Sequence, residues 1–152
     1  MKNEKALTMR KITLIVIHCS AVRPYQTSSA AQIDEWHRER VTKNGTHWKG
    51  IGYHYVVRRD GSIEKGRPIE EVGAHCNLHN RYSIGICYEG GLNVGGKPED
   101  TRTQEQKKAL RGLIEKLHQD FPQAIIVGHR NLEPYKDCPC FDVVKEYRDL
   151  QP

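Results

Sequence analysis

The sequence predicts a single α/β domain over residues 1–152, built on a mixed central sheet of about five to six strands flanked by about three helices. Three observations carry that prediction. Short β-branched runs at 12–17, 83–88 and 124–127 have the near-continuous apolar character of strands buried on both faces. An Asp60-Gly61 pair between two β-rich stretches is a hairpin signal, and helical periodicity fills 28–40 and 103–120.

In chain order, Ile12–Ile17 is the first strand and should be central in the sheet. Ser28 or Ser29 then caps a helix in which Ile33, Trp36 and His37 or Arg40 recur at helical spacing, and Asn44-Gly45 closes it. Tyr53–Arg58 and Ser62–Lys65 form the antiparallel hairpin, and Ser83–Tyr88 is another buried strand, with Cys87 as a small core residue. The glycines between Gly90 and Gly96 and Pro98 keep the next segment irregular. Thr103 with Gln106 makes a capping box ahead of Leu110, Leu113, Ile114 and Leu117, the clearest helix in the chain. It stops before Phe121-Pro122, Ala124–Val127 forms a short parallel strand, and a last helix runs from Phe141 to about Arg148.

Composition bounds the function. A chain of 152 residues, 37% hydrophobic and 28% charged, is large enough for one self-sufficient core and is not of disordered type. Its net charge of +5 favours an anionic partner, but no Lys/Arg tract or recognition motif accompanies it, so no nucleic acid is expected. No apolar run is long enough for membrane insertion. Residues 1–10 are expected to be a flexible segment, and Ile12–Ile17 is too short for a signal peptide core, so a cytoplasmic monomer is expected. The five cysteines are odd in number, which points to free thiols or metal ligands and not to a disulfide framework.

Two histidines, His18 and His129, stand directly after predicted buried strands, where an open α/β sheet places its sites. Either alone is more often a hydrogen-bonded structural residue. Lys136-Asp-Cys-Pro-Cys-Phe-Asp142 follows His129 closely, and one of its thiolates with the two imidazoles would leave a tetrahedral zinc one open position for water. Spacing leaves Cys138 and Cys140 equal. Cys19 should point away from such a site, since side chains alternate along a strand. A competing donor group is His75-Cys-Asn-Leu-His79 with His54.

Ile17-His-Cys-Ser20, Gly52-Tyr-His-Tyr55 with Arg59-Asp-Gly61, Ser83-Ile-Gly-Ile86, and Val127-Gly-His-Arg130 followed by Asp137-Cys-Pro139 resemble the zinc N-acetylmuramoyl-L-alanine amidases of the phage lysozyme type, related to the peptidoglycan recognition proteins. The resemblance covers roughly residues 10–148. It implies one Zn2+ per chain on His18, His129 and Cys138, catalytic roles for Tyr53 and Lys136, and substrate contacts from His75, His37 and Asn77, with Trp36-His37 as the Trp-His pair near the groove. Asn80, Arg81 and Arg67 are further candidates for stem-peptide carboxylates. The implied reaction is hydrolysis of the muramoyl–alanine amide of peptidoglycan by a lysin that reaches the wall after membrane permeabilisation. The alternatives are a non-catalytic recognition module, which commonly lacks the cysteine, and a cytoplasmic amidase of muropeptide recycling, whose third ligand is usually an aspartate.

Overall fold

A computed structural model describes residues 10–152. One mixed sheet contains β1 (Leu14–Cys19), β2 (Tyr55–Val57), β3 (Ile63–Lys65), β4 (Ser83–Tyr88) and β5 (Ile125–Gly128), in the order β3-β2-β4-β1-β5. β2, β4, β1 and β5 run parallel; β3 alone is antiparallel, as the hairpin partner of β2. The hairpin turns at Asp60-Gly61 as expected, with Gly61 at φ 88° and the Asp60 carboxylate accepting from the Ser62 N–H. The amino-terminal segment expected to be flexible lies outside the described residues except for Arg10. That guanidinium donates to the Ile69 and Ser83 carbonyls.

β1 starts and ends two residues later than its apolar run suggests. Its ladder with β4 continues through His18↔Cys87 and Cys19↔Tyr88, so His18 lies inside the strand and not after it. Alternation then sorts the strand: Ile15, Ile17 and Cys19 join one core, while Leu14 and Val16 join a cluster on the other face.

The first face is covered by α2 (Gln104–Asp120), whose Leu110, Leu113, Ile114 and Leu117 pack against Ile84, Ile86 and Tyr88. Burying side chains of this size stabilises by roughly 1.5–3 kcal/mol each. The expected capping box is present, with the Gln106 N–H on the Thr103 hydroxyl at 3.0 Å and the Thr103 N–H on the Gln106 side chain at 3.1 Å. α1 (Ala30–Arg38), capped by Ser29, lies on the opposite face and sets Ile33 against Val56 and Cys87. Trp36, expected on the inner stripe, is 42% exposed, and His37 is the buried residue. The stripe from Ile33 continues at i+4, which is His37.

Two single-turn helices complete the chain. α3 (His129–Leu132) begins on the histidine that follows β5, a turn the sequence reading does not anticipate. α4 (Val143–Glu146) replaces most of the helix expected over 141–148: Phe141 is drawn into the core under Arg102, Asp142 caps the turn, and a 3-10 turn follows at Arg148–Leu150. Among the described residues no helix is long and apolar enough to cross a membrane.

Candidate functional site

The parallel strand order sets the carboxyl ends of β1 and β5 side by side, with Ile17 opposite Gly128. His18 leaves β1 on the face away from α2, and His129 opens α3. With Cys138 they bring three donor atoms within 4.8 Å of one another. Cys138 is held at the strand end by the Cys19 N–H, which donates to its sulfur at 3.1 Å. Cys140 adopts φ 71° and turns its own sulfur toward the Gly91 carbonyl at 3.4 Å. The geometry thus groups Cys138, and not Cys140, with the histidines. Cys19 packs on the opposite face, as alternation requires, but its thiol adjoins both cysteines. It is pushed up to about 12, most of all by its hydrogen bond with Cys138.

A row of groups fixes the His18 ring. His18 is 1% exposed, its Nε2 lies 2.8 Å from His75 Nδ1, and His75 Nε2 lies 3.0 Å from the Ser83 hydroxyl. Space for the His75 ring exists because residue 85 is glycine: a Cβ there would sit 2.6 Å from the ring. Asn80 accepts the His75 and Cys76 N–H groups on its side-chain oxygen, both at 2.9 Å, and so shapes the loop. Burial, then the neighbouring imidazoles, drives His18 far below the ordinary histidine range, and burial takes His75 down to about 3. Both rings are therefore neutral near pH 7.

Above these donors lies a groove of about 660 Å³, lined by the expected ligands His18, His129 and Cys138 and by His37, Tyr53, His75, Asn77 and Lys136. Tyr53 stands beside His18, ring centroids 5.0 Å apart, and burial followed by the nearby thiols of Cys87 and Cys138 raises its phenol well above the usual tyrosine value. It remains a proton donor at neutral pH. His37 accepts the Gly52 N–H on Nδ1 at 2.9 Å and meets Trp48 edge-on at 5.2 Å. The tryptophan beside the groove histidine is thus Trp48 and not Trp36. Lys136 and Asn77 are exposed, and the Lys136 ammonium sits 5.5 Å from the Tyr135 ring.

Other expectations are not met. The His54, His75, Cys76 and His79 donors do not assemble as one group. His54 accepts the Gly85 N–H on Nδ1 and faces the Glu71 carbonyl with Nε2, while His79 pairs with the Tyr82 hydroxyl. Arg67 is buried and donates to the Ile51 and Val72 carbonyls, so it is not free for a stem-peptide carboxylate, whereas Asn80 lines the groove with its side-chain oxygen serving backbone N–H groups. Arg81 is exposed and does not line the groove. Glu133, absent from the sequence reading, lies 3.2 Å from His129 Nε2, and its i+4 relation to that histidine becomes visible once α3 is recognised as a helical turn.

Comparison with known proteins is consistent with this arrangement. The family described as N-acetylmuramoyl-L-alanine amidase matches residues 8–141. The chain is 37% identical over 127 residues to the endolysin of Enterobacteria phage K11, covering 84% of this chain and 80% of that one. Among solved structures, the endolysin amidase LysCS from Clostridium intestinale URNW superposes with a TM-score of 0.72 at 28% identity, covering 91% of this chain and 81% of that one. A peptidoglycan recognition protein LCa–LCx ectodomain complex with bound tracheal cytotoxin superposes with a TM-score of 0.69 at 26% identity, over 93% and 83% of the two chains.

Proposed function

The chain belongs to the N-acetylmuramoyl-L-alanine amidase family, and from that premise we propose that it is a phage or prophage lysin that cuts the amide between N-acetylmuramic acid and L-alanine in peptidoglycan, using one zinc ion on His18, His129 and Cys138. The observation that carries the metal is the convergence of those three donors within 4.8 Å on the floor of the groove. Two imidazoles and a thiolate suit zinc and leave one of its four positions for solvent or substrate, as in catalytic sites. The endolysin relatives and the recognition protein with bound tracheal cytotoxin support peptidoglycan as substrate.

Zinc held there would supply Lewis acidity toward the scissile carbonyl and toward water. The remaining steps fall to side chains. His75 occupies Nε2 of His18 and leaves Nδ1 as the nitrogen available for the ion. Tyr53, kept protonated by burial, donates a hydrogen bond to the reacting oxygen and does not serve as a base. The Lys136 ammonium at the rim offsets negative charge developing on the carbonyl oxygen. Asn77 and the edge of His37 contact the stem peptide. Both nitrogens of His75 are already engaged, so its part is to position His18.

Purified sacculi test the reading. Free alanine amino termini should appear on incubation, vanish with a chelator and return with zinc; binding without release would instead mark a recognition module. Cys138→Ser should lose zinc and activity together while Cys140→Ser keeps both, and the reverse pattern would overturn the ligand set.

A further inference from the structure

Around His129 a second set of donors converges beside the first. The donor atoms of Cys76, His129 and Glu133 lie within 4.8 Å of one another. Glu133 Oε1 is 3.2 Å from His129 Nε2 and 4.0 Å from Cys76 Sγ. Two ligands on one tetrahedral zinc stand roughly 3.3–3.8 Å apart, given bonds of about 2.0–2.3 Å. The contact between histidine and glutamate has co-ligand spacing without hydrogen-bond direction: His129 Nε2 is buried and has no hydrogen-bond partner despite the nearby oxygen. The other carboxylate oxygen, Oε2, is held by the Tyr135 hydroxyl at 2.6 Å, which fixes Oε1 toward the cluster. Cys76 is 2% exposed, and Asn80 anchors its backbone.

We propose that Cys76, His129 and Glu133 form a second seat for a thiophilic divalent cation, sharing His129 with the proposed catalytic set. A thiolate, a carboxylate and a neutral imidazole bring two negative charges to a dication, so the seat is charge-balanced once filled. A neutral imidazole has one lone pair to give. The two seats therefore compete for His129, and the ion has a resting position one ring away from the catalytic one. The inference rests on the reading above only in its use of His129.

The test uses cobalt(II) on metal-free protein, with equilibrium dialysis for stoichiometry and the near-ultraviolet thiolate-to-cobalt absorption as the signature of a bound cysteine. Cys138→Ser removes the thiolate of the first seat, yet it should still bind one equivalent and show the band. Adding Cys76→Ser should weaken binding at least tenfold and abolish the band. Glu133→Gln on the Cys138→Ser background should weaken binding at least tenfold while keeping the band, with circular dichroism confirming the fold. The proposal is overturned if Cys138→Ser binds no cobalt, or if affinity and band are the same with and without Cys76. Failure of the catalytic reading shows separately, as unmodified protein whose hydrolysis of sacculi is indifferent to its metal content.

Discussion

Gly85→Ala is the sharpest perturbation the structure offers, because a single methyl on β4 reaches the His18 support from behind. The new Cβ would lie 2.6 Å from the His75 Cγ and 2.7 Å from its Cδ2, roughly 1 Å inside ordinary carbon contact of about 3.5–4.0 Å. Relief by backbone movement is costly, since β4 is hydrogen-bonded on both sides, to β1 and to β2. The His75 ring must move instead, and it is held at both nitrogens, by His18 and by Ser83. Overpacking of this kind typically costs about 1–3 kcal/mol, and loss of a ligand's outer partner about 10–100-fold in metal affinity. The measurement is urea unfolding of metal-free protein together with zinc competition against a chromophoric chelator. Gly112→Ala serves as control: nothing lies within 4 Å of a Cβ there, and a helical glycine replaced by alanine should gain about 0.5–1 kcal/mol. Unchanged stability and zinc affinity in Gly85→Ala would refute the account of His75 as the support of His18.

Tyr53→Phe should lower kcat on sacculi by about 10–1,000-fold with unchanged zinc content, because the phenol is assigned a hydrogen bond and not a ligand bond; loss of zinc would contradict the assignment. Glu89 should govern part of the acid sensitivity. Burial acts to raise its carboxyl, but the Ser28 and Arg59 N–H groups and the Arg58 guanidinium outweigh burial and hold it below the ordinary value. A lowered folded pKa means stability present above the unfolded value of about 4.3 and lost as pH falls through the folded one, so Glu89→Gln should flatten the acid limb of a stability–pH profile below about pH 4.5. Ile114→Ala, at a fully buried site in the α2 core, should cost about 2–5 kcal/mol in urea unfolding. Ser29→Ala should cost about 1 kcal/mol, since its hydroxyl caps the Gln32 N–H.

Much of this fold is readable from local pattern alone. Ser83–Tyr88 coincides with β4, and the Thr103 capping box opens α2 where it should, because both depend on neighbours a few residues apart. The extent of β1 is not readable in that way: His18 and Cys19 become strand residues through pairing with Cys87 and Tyr88, almost seventy positions away. Trp36 illustrates a different gap, since its apolar ring fits the inner stripe by type, yet the helix places His37 there. At the site, the histidines announce themselves by standing at the ends of apolar runs. Choosing Cys138 over Cys140 takes the φ of 71° that swings the second thiol to Gly91, and no spacing rule encodes it. Arg67 and Asn80 look like surface groups in the sequence because nothing local shows the backbone carbonyls and N–H groups they serve.

The position of β1 in the middle of the sheet, between β4 and β5, has a consequence for synthesis. β1 is made before either neighbour, β4 (Ser83–Tyr88) or β5 (Ile125–Gly128), and Cys138 comes later still. The site is thus unassembled until all of these segments have been made. An ion joining His18 to Cys138 would also act as a cross-link, tying off a loop of about 120 residues; by the chain-entropy arithmetic used for disulfides, closing a loop of that length is worth roughly 5 kcal/mol. Metal would then clasp two distant parts of the chain together, so that a truncated product ending before the Asp137-Cys138 segment lacks both the third ligand and the tether.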